Sequence, residues 1–211
     1  MAYDLEEQEQ LDVLKAWWKK NGTTVILAVS VFAAVVAGVQ GWRVYQKKQL
    51  HQAALVFEAV QNGVQSEDAK LIREAAGQLI EKYPGTPQAS RAALLAAGAN
   101  YGSGDAKSAK AQLQWVIEHA KEDAVRDIAR LRLAGILLDE KAYADAMKTL
   151  ETPHEKAFDG LFSDLEGDVL AAQGKRADAR VAYQTALKKT DEKSAYRQIV
   201  QMKLDGMGEQ G

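Results

Sequence analysis

The 211-residue chain has no cysteine. That excludes a structural disulfide, a thiolate nucleophile, a cysteine-rich zinc site and an acylated lipoprotein anchor, and it leaves an oxidising or a reducing compartment equally open. Proline is scarce, with only Pro84, Pro87 and Pro153, and strand-like alternation is absent throughout the chain from Leu50 onward. A surplus of one charge is missing too. Through Trp42 there are three lysines against five acids, and the remainder carries 24 basic and 24 acidic side chains. Such a balance offers no electrostatic footprint for a nucleic-acid backbone, so no nucleic-acid partner is expected.

Catalytic constellations are equally thin. His51, His119 and His154 stand alone, without a second His or an acid at metal-ligand spacing, and read as solvated helix or loop residues. Gly102-Ser103-Gly104 begins like a phosphate loop but follows a helical pattern and lacks the Gly-Lys-Ser/Thr ending, so it reads as a turn between helices. No nucleophile elbow occurs, and the acids are spread over helical faces. The expectation is a chain without a catalytic residue, cofactor or metal, and so not an enzyme.

What the chain does have is one long apolar run. Between Lys20 and Arg43 lie 22 residues without a charge, which as a helix reach roughly 33 Å, close to the hydrocarbon thickness of a bilayer. Val25 to Val36 is apolar on nearly every side, unlike the striped helix of a soluble core. A cleaved signal peptide needs a basic n-region and a shorter core, whereas here acids outnumber lysines ahead of the run. Trp17 and Trp18 before it, and Trp42 and Tyr45 after it, sit where amphipathic rings settle at headgroup level. The run therefore reads as a permanent membrane span. Its orientation is not decided by charge, because Lys15, Lys19 and Lys20 balance Arg43, Lys47 and Lys48.

Small residues recur along the span. Ser30, Ala34 and Gly38 are spaced by four, and Ala33, Ala37 and Gly41 repeat the spacing beside them. Such stripes let helices approach closely in lipid, so this face is either a docking surface for another membrane helix or the ordinary Ala and Gly content of a span. Ahead of it, Leu11, Leu14 and Trp18 share a face with Glu and Gln opposite, as in a short interfacial helix or a capped lead-in to the span. Acids lead and lysines trail, the order a helix dipole favours.

From Leu50 the pattern is helical, with breaks at Gln61-Asn62-Gly63, Tyr83-Pro84-Gly85-Thr86-Pro87, Gly102-Ser103-Gly104, Glu140-Lys141, Thr152-Pro153 and Gln173-Gly174. Aligning them exposes a repeat. Gly104-Asp105 precedes Ala109, Lys141 precedes Ala146, and Gly174 precedes Ala179 and Tyr183, so the three alanines lie 37 and then 33 residues apart. That is close to the 34-residue tetratricopeptide period, in which a small residue lets the second helix of each pair pack on the first. Leu71 to Pro84 reads as an earlier half-copy, and Ile199, Met202 and Lys203 as the covering residues of a terminal helix. The expected fold is all-α: an N-terminal transmembrane helix followed by a solenoid of tetratricopeptide-like helix pairs. Residues 1–20 form the leader, 21–48 the span and its flank, and 49–211 the repeat domain. A solenoid of this kind offers binding on its concave face, where Tyr101, Trp115 and Tyr143 are either groove or core.

The leader ending WWKKNG, the span closing with GWRVY, the segment SDLEGDVLAAQGKRADARVAY and the terminal QMKLD together resemble the YfgM-type ancillary subunits of the bacterial SecYEG translocon. The resemblance runs over nearly the whole chain. It implies a single-span inner-membrane protein with a cytoplasmic N-terminus and a periplasmic helical domain. It also implies association with SecYEG and with the membrane-anchored periplasmic chaperone PpiD, in the handling of exported proteins. For the leader it implies a further partner, a cytoplasmic response regulator of envelope stress. The family offers no catalytic motif to carry over.

Overall fold

The computed structural model describes residues 2–208. Among them the chain is helical, with no strand. Helix α1 runs from Ala2–Gln65 without a break, so leader, span and the first helix of the repeat domain are one element. The chain divides into two compact units, Met1–Gln49 and Leu50–Gly211. In the first unit the apolar residues of α1 face outward. Phe32 is 70% and Leu27 is 64% exposed, which separates this helix from the buried core helix of a soluble protein and fits it to cross a membrane.

The second unit consists of the end of α1, then α2 (Ala69–Lys82), α3 (Pro87–Gly102), α4 (Ala106–His119), α5 (Asp123–Asp139), α6 (Tyr143–Leu150), α7 (Asp159–Ala172), α8 (Arg176–Lys189) and α9 (Tyr196–Gly206). Local chemistry starts several of these helices. Asp68 accepts from the backbone N–H groups of Lys70 and Leu71, both at 3.0 Å, Thr86 caps α3 ahead of Pro87, and Asp105 accepts from the Ser108 N–H at 3.0 Å. Each cap satisfies a donor the first helical turn leaves unpaired. Hydrogen bonding at its cap lowers the Asp105 pKa.

Four turns share one geometry. Glu67, Gly104, Lys141 and Gly174 adopt φ of 55°, 83°, 61° and 78°, and the residue after each donates its N–H five residues back, to Gly63, Asn100, Leu137 and Leu170. The helices so joined form the pairs α1–α2, α3–α4, α5–α6 and α7–α8. Ala53 and Val60 of α1 are fully buried with Ala76 and Leu79 of α2 and Ala89 and Ala92 of α3. Ala109, Leu113 and Val116 of α4 lie against Ala129 and Leu133 of α5. Ala146 and Leu150 then pack with Phe162 and Val169, and Ala179, Tyr183 and Ala186 with Val200. The core is thus a row of neighbouring clusters, as nearest-neighbour stacking requires.

Three expectations change. The break expected at Gln61-Asn62-Gly63 does not occur, because α1 continues to Gln65. Gly63 serves close approach instead, since a Cβ there would lie 2.9 Å from Ile72 Cγ1. A break absent from the sequence reading falls at Ala120, where α4 ends in an extended residue. On α9 the covering residue is Val200, fully buried, whereas Ile199 is 45% and Met202 is 65% exposed. Lys203 does turn inward, but to carboxylates rather than to an apolar core.

Candidate functional site

In the first unit Ser30, Ala34, Ala37, Gly38 and Gly41 are all exposed on α1. A Cβ added at Gly38 or Gly41 would meet nothing within 4 Å, so the stripe is an open shallow face. Trp17 and Trp18 lie at one end of the span with ring centroids 6.4 Å apart, and Trp42 and Tyr45 at the other with theirs 5.9 Å apart.

Within the second unit the repeat residues sit at equivalent places. Ala109, Ala146 and Ala179 have no exposed surface, each on the second helix of its pair, and Gly174 occupies the left-handed turn. Tyr183 is 2% exposed. Its ring lies where a Cβ on Gly167 would be, 2.5 Å from Tyr183 Cε1, which explains the glycine in SDLEGD.

Two side-chain ties lie between first helices of successive pairs. Arg132 Nη1 donates to the Leu94 carbonyl at 3.0 Å, and the Tyr101 hydroxyl donates to Asp139 Oδ2. Each bond joins residues 38 apart in sequence, so α3 and α5 run side by side in the same direction. Between these two ties opens a furrow of about 480 Å³ lined by Leu94, Leu95, Leu113 and Ile136 and by Gly98 and Gly135. Neither glycine would meet anything within 4 Å if it gained a Cβ. Tyr101 is therefore a furrow residue. Trp115 is half-buried between two core clusters, and Tyr143 packs partly into the third.

The description of the matching family model is "Tetratricopeptide repeat-like domain", and the match covers residues 15–209, reaching back through the span. The "Ancillary SecYEG translocon subunit" of Neisseria gonorrhoeae is 34% identical over 211 residues, covering 98% of this chain and 100% of that one. The proteins of the same name from Haemophilus influenzae and Escherichia coli are 26% and 27% identical, over 98% and 95% of this chain and 100% and 96% of theirs. The chain belongs to the ancillary SecYEG translocon subunit family.

In this family member a cluster of polar side chains ties the C-terminal helix to the pair before it. Asp164 is 2% exposed and accepts from the Tyr196 hydroxyl and, at 2.7 Å, from Lys203 Nζ. Lys203 also donates to Asp168 at 2.7 Å, and Asp168 accepts from the Tyr183 hydroxyl at 2.9 Å. Five side chains thereby bind α9 to α7 and α8. Burial, then hydrogen bonding to a carboxylate, pushes both tyrosine pKa values well up. For Lys203, burial opposes the charge, but the two carboxylate bonds outweigh it and raise its pKa.

Elsewhere the ancillary-subunit chain buries Asp127 completely on α5. Its carboxylate accepts from Arg130 at 2.6 Å and from the Glu155 N–H at 2.9 Å, anchoring the connection between α6 and α7. His154 is not the solvated residue the sequence implied. Its ring stacks on Phe162 at 3.8 Å, and its Nε2 lies 3.4 Å from Asp159. His119 stacks on Trp115 at 4.7 Å. No group of three potential metal ligands occurs among the described residues.

Proposed function

We propose that this chain is a membrane-tethered interaction subunit of the protein-export machinery, one that associates with SecYEG and presents its helical domain to partners in transit. The full-length match to proteins named ancillary SecYEG translocon subunits is the observation that carries this reading. The single apolar span supports the tether. Confinement beside the channel raises local encounter rates without new chemistry, because a second binding event becomes effectively intramolecular.

In this reading the N-terminus is cytoplasmic and the domain periplasmic, in a bacterial inner membrane. The membrane-anchored chaperone of the PpiD type is the partner through which exported chains are reached. The stripe Ser30, Ala34, Ala37, Gly38 and Gly41 docks on a neighbouring membrane helix, by dispersion and close backbone approach rather than by a hydrophobic effect. No step requires catalysis.

A photo-crosslinking residue at Ala34 tests the docking in native membranes. An adduct with a translocon subunit or with the chaperone's span is the expected result. A stably inserted protein that yields only lipid or self-adducts reduces the span to an anchor. The alternative, an envelope-stress regulator that sequesters a cytoplasmic response regulator, rests on the leader. Deleting residues 1–14 separates the two, since translocon association then survives and a regulatory phenotype does not.

A further inference from the structure

The furrow between α3 and α5 has two charged poles and an apolar floor. Arg132 stands at one end and Asp139 at the other, both exposed, seven residues apart on one face of α5 and hence about 10 Å apart along the helix. Each has spare bonding capacity. Arg132 commits one of its donors to Leu94, and Asp139 accepts one bond from Tyr101, leaving further N–H groups and lone pairs for a partner.

Between the poles, Gly98 and Gly135 face open space. Glycine in a helix interior costs about 1 kcal/mol relative to alanine, and no close packing compensates either one. What the two glycines provide is room. The walls are helices whose backbone groups are already paired, so an extended segment laid in the furrow leaves its own N–H and C=O groups unpaired against apolar side chains. A helix brings its backbone bonds with it and needs only side-chain complementarity.

We propose that the furrow takes one amphipathic helix of a protein partner, oriented by charge: an acidic side chain at Arg132, a large apolar one over Gly98 and Gly135, and a basic one at Asp139. Seven residues of a partner helix also span about 10 Å, so in a helix laid parallel to α5 the acid, the apolar residue and the base fall at i, i+3 or i+4, and i+7, and in one laid antiparallel the acid and the base exchange places. Of the two directions, the parallel one puts the acid toward the partner's N-terminus and the base toward its C-terminus, which its own dipole favours. The proposal rests on the interaction-module reading above and names the partner chemistry of one of its surfaces.

The test uses the full chain in zwitterionic phospholipid nanodiscs and two fluorescein-labelled, alanine-rich 18-residue peptides, one with Glu, Leu and Lys at these spacings and one with Lys, Leu and Lys. Fluorescence anisotropy is expected to show the first binding at least tenfold more tightly. The single variant Arg132→Glu is expected to invert that preference, and Gly98→Leu to weaken the first peptide at least tenfold without lowering the thermal midpoint. Equal affinities, no binding by either peptide, or a preference unmoved by Arg132→Glu overturns the proposal. Equal binding by a proline-interrupted version of the first peptide overturns the helix. Co-isolation of the unaltered chain with SecYEG from membranes is scored separately, so failure of the broader reading is distinguishable from failure of this one.

Discussion

Lys141 and Glu67 occupy the left-handed region, with φ of 61° and 55°, in turns whose hydrogen bonding matches that of Gly104 and Gly174. A side chain with a Cβ meets steric resistance there that glycine does not. Lys141→Gly is therefore expected to stabilise the folded chain by about 0.5–1 kcal/mol, the relief of strain exceeding the added freedom of the unfolded state. A thermal midpoint that falls instead would show that the lysine side chain holds the turn. Glycines inside helices divide the other way. Gly167→Ala drives a methyl into the Tyr183 ring and is expected to cost about 1–3 kcal/mol, whereas Gly98→Ala enters open space and is expected to gain about 0.5–1 kcal/mol. Denaturant melts of the two variants, read side by side, check the contrast.

α9 is held by Lys203, Tyr196 and Val200 more than by a broad apolar face. The folded pKa of Lys203 lies above its ordinary 10.5, and those of Tyr183 and Tyr196 above their ordinary 10.0. All three groups hold their protons more tightly folded than unfolded, so their stabilisation is complete at neutral pH and is lost as pH rises past about 10. Unfolding free energy is expected to be flat from pH 7 to 9 and to fall steeply above 10, while Lys203→Met lowers it by about 2–3 kcal/mol at pH 7 by leaving two carboxylates facing each other. A stability profile that stays flat to pH 11 would sink this account. The same elements show what the sequence could reveal. The buried alanines at 109, 146 and 179 were legible because a period of one small residue per pair survives in the sequence. The copy entered at Glu67 was legible only as the half-copy Leu71 to Pro84, since a glutamate stands where its turn geometry favours glycine. The furrow, whose two ties join residues 38 apart and leave no local signature, was not legible. Ile199 and Met202 misled because apolar character alone cannot tell which face of a terminal helix is covered, whereas Val200 and the inward Lys203 share the face that is.

At the scale of the whole molecule, α1 serves two solvents. Its exposed apolar stretch suits lipid, while Ala53 and Val60 further along the same helix are fully buried in the core of the second unit. Truncation is therefore position-sensitive. A chain starting at Leu50 retains the partners of Ile72, Ala76 and Leu79 and is expected to melt cooperatively, whereas one starting at Ser66 uncovers them and is expected to lose several kcal/mol. Tethering and docking can then be separated in membranes. Replacing residues 21–48 with an unrelated leucine-rich span of equal length preserves insertion and the core of the second unit, but it removes Ser30, Ala34, Ala37, Gly38 and Gly41. Confinement alone would leave co-isolation with the export channel intact, because effective concentration depends on being in the membrane and not on which span holds the chain there. A docking face demands the opposite, since leucine side chains hold the backbones apart where glycine and alanine let them meet. The expected outcome is loss of co-isolation with full membrane insertion, measured by quantitative recovery of channel subunits against the unaltered chain. Undiminished recovery would assign association to the helical domain or the leader and leave the span as a tether alone.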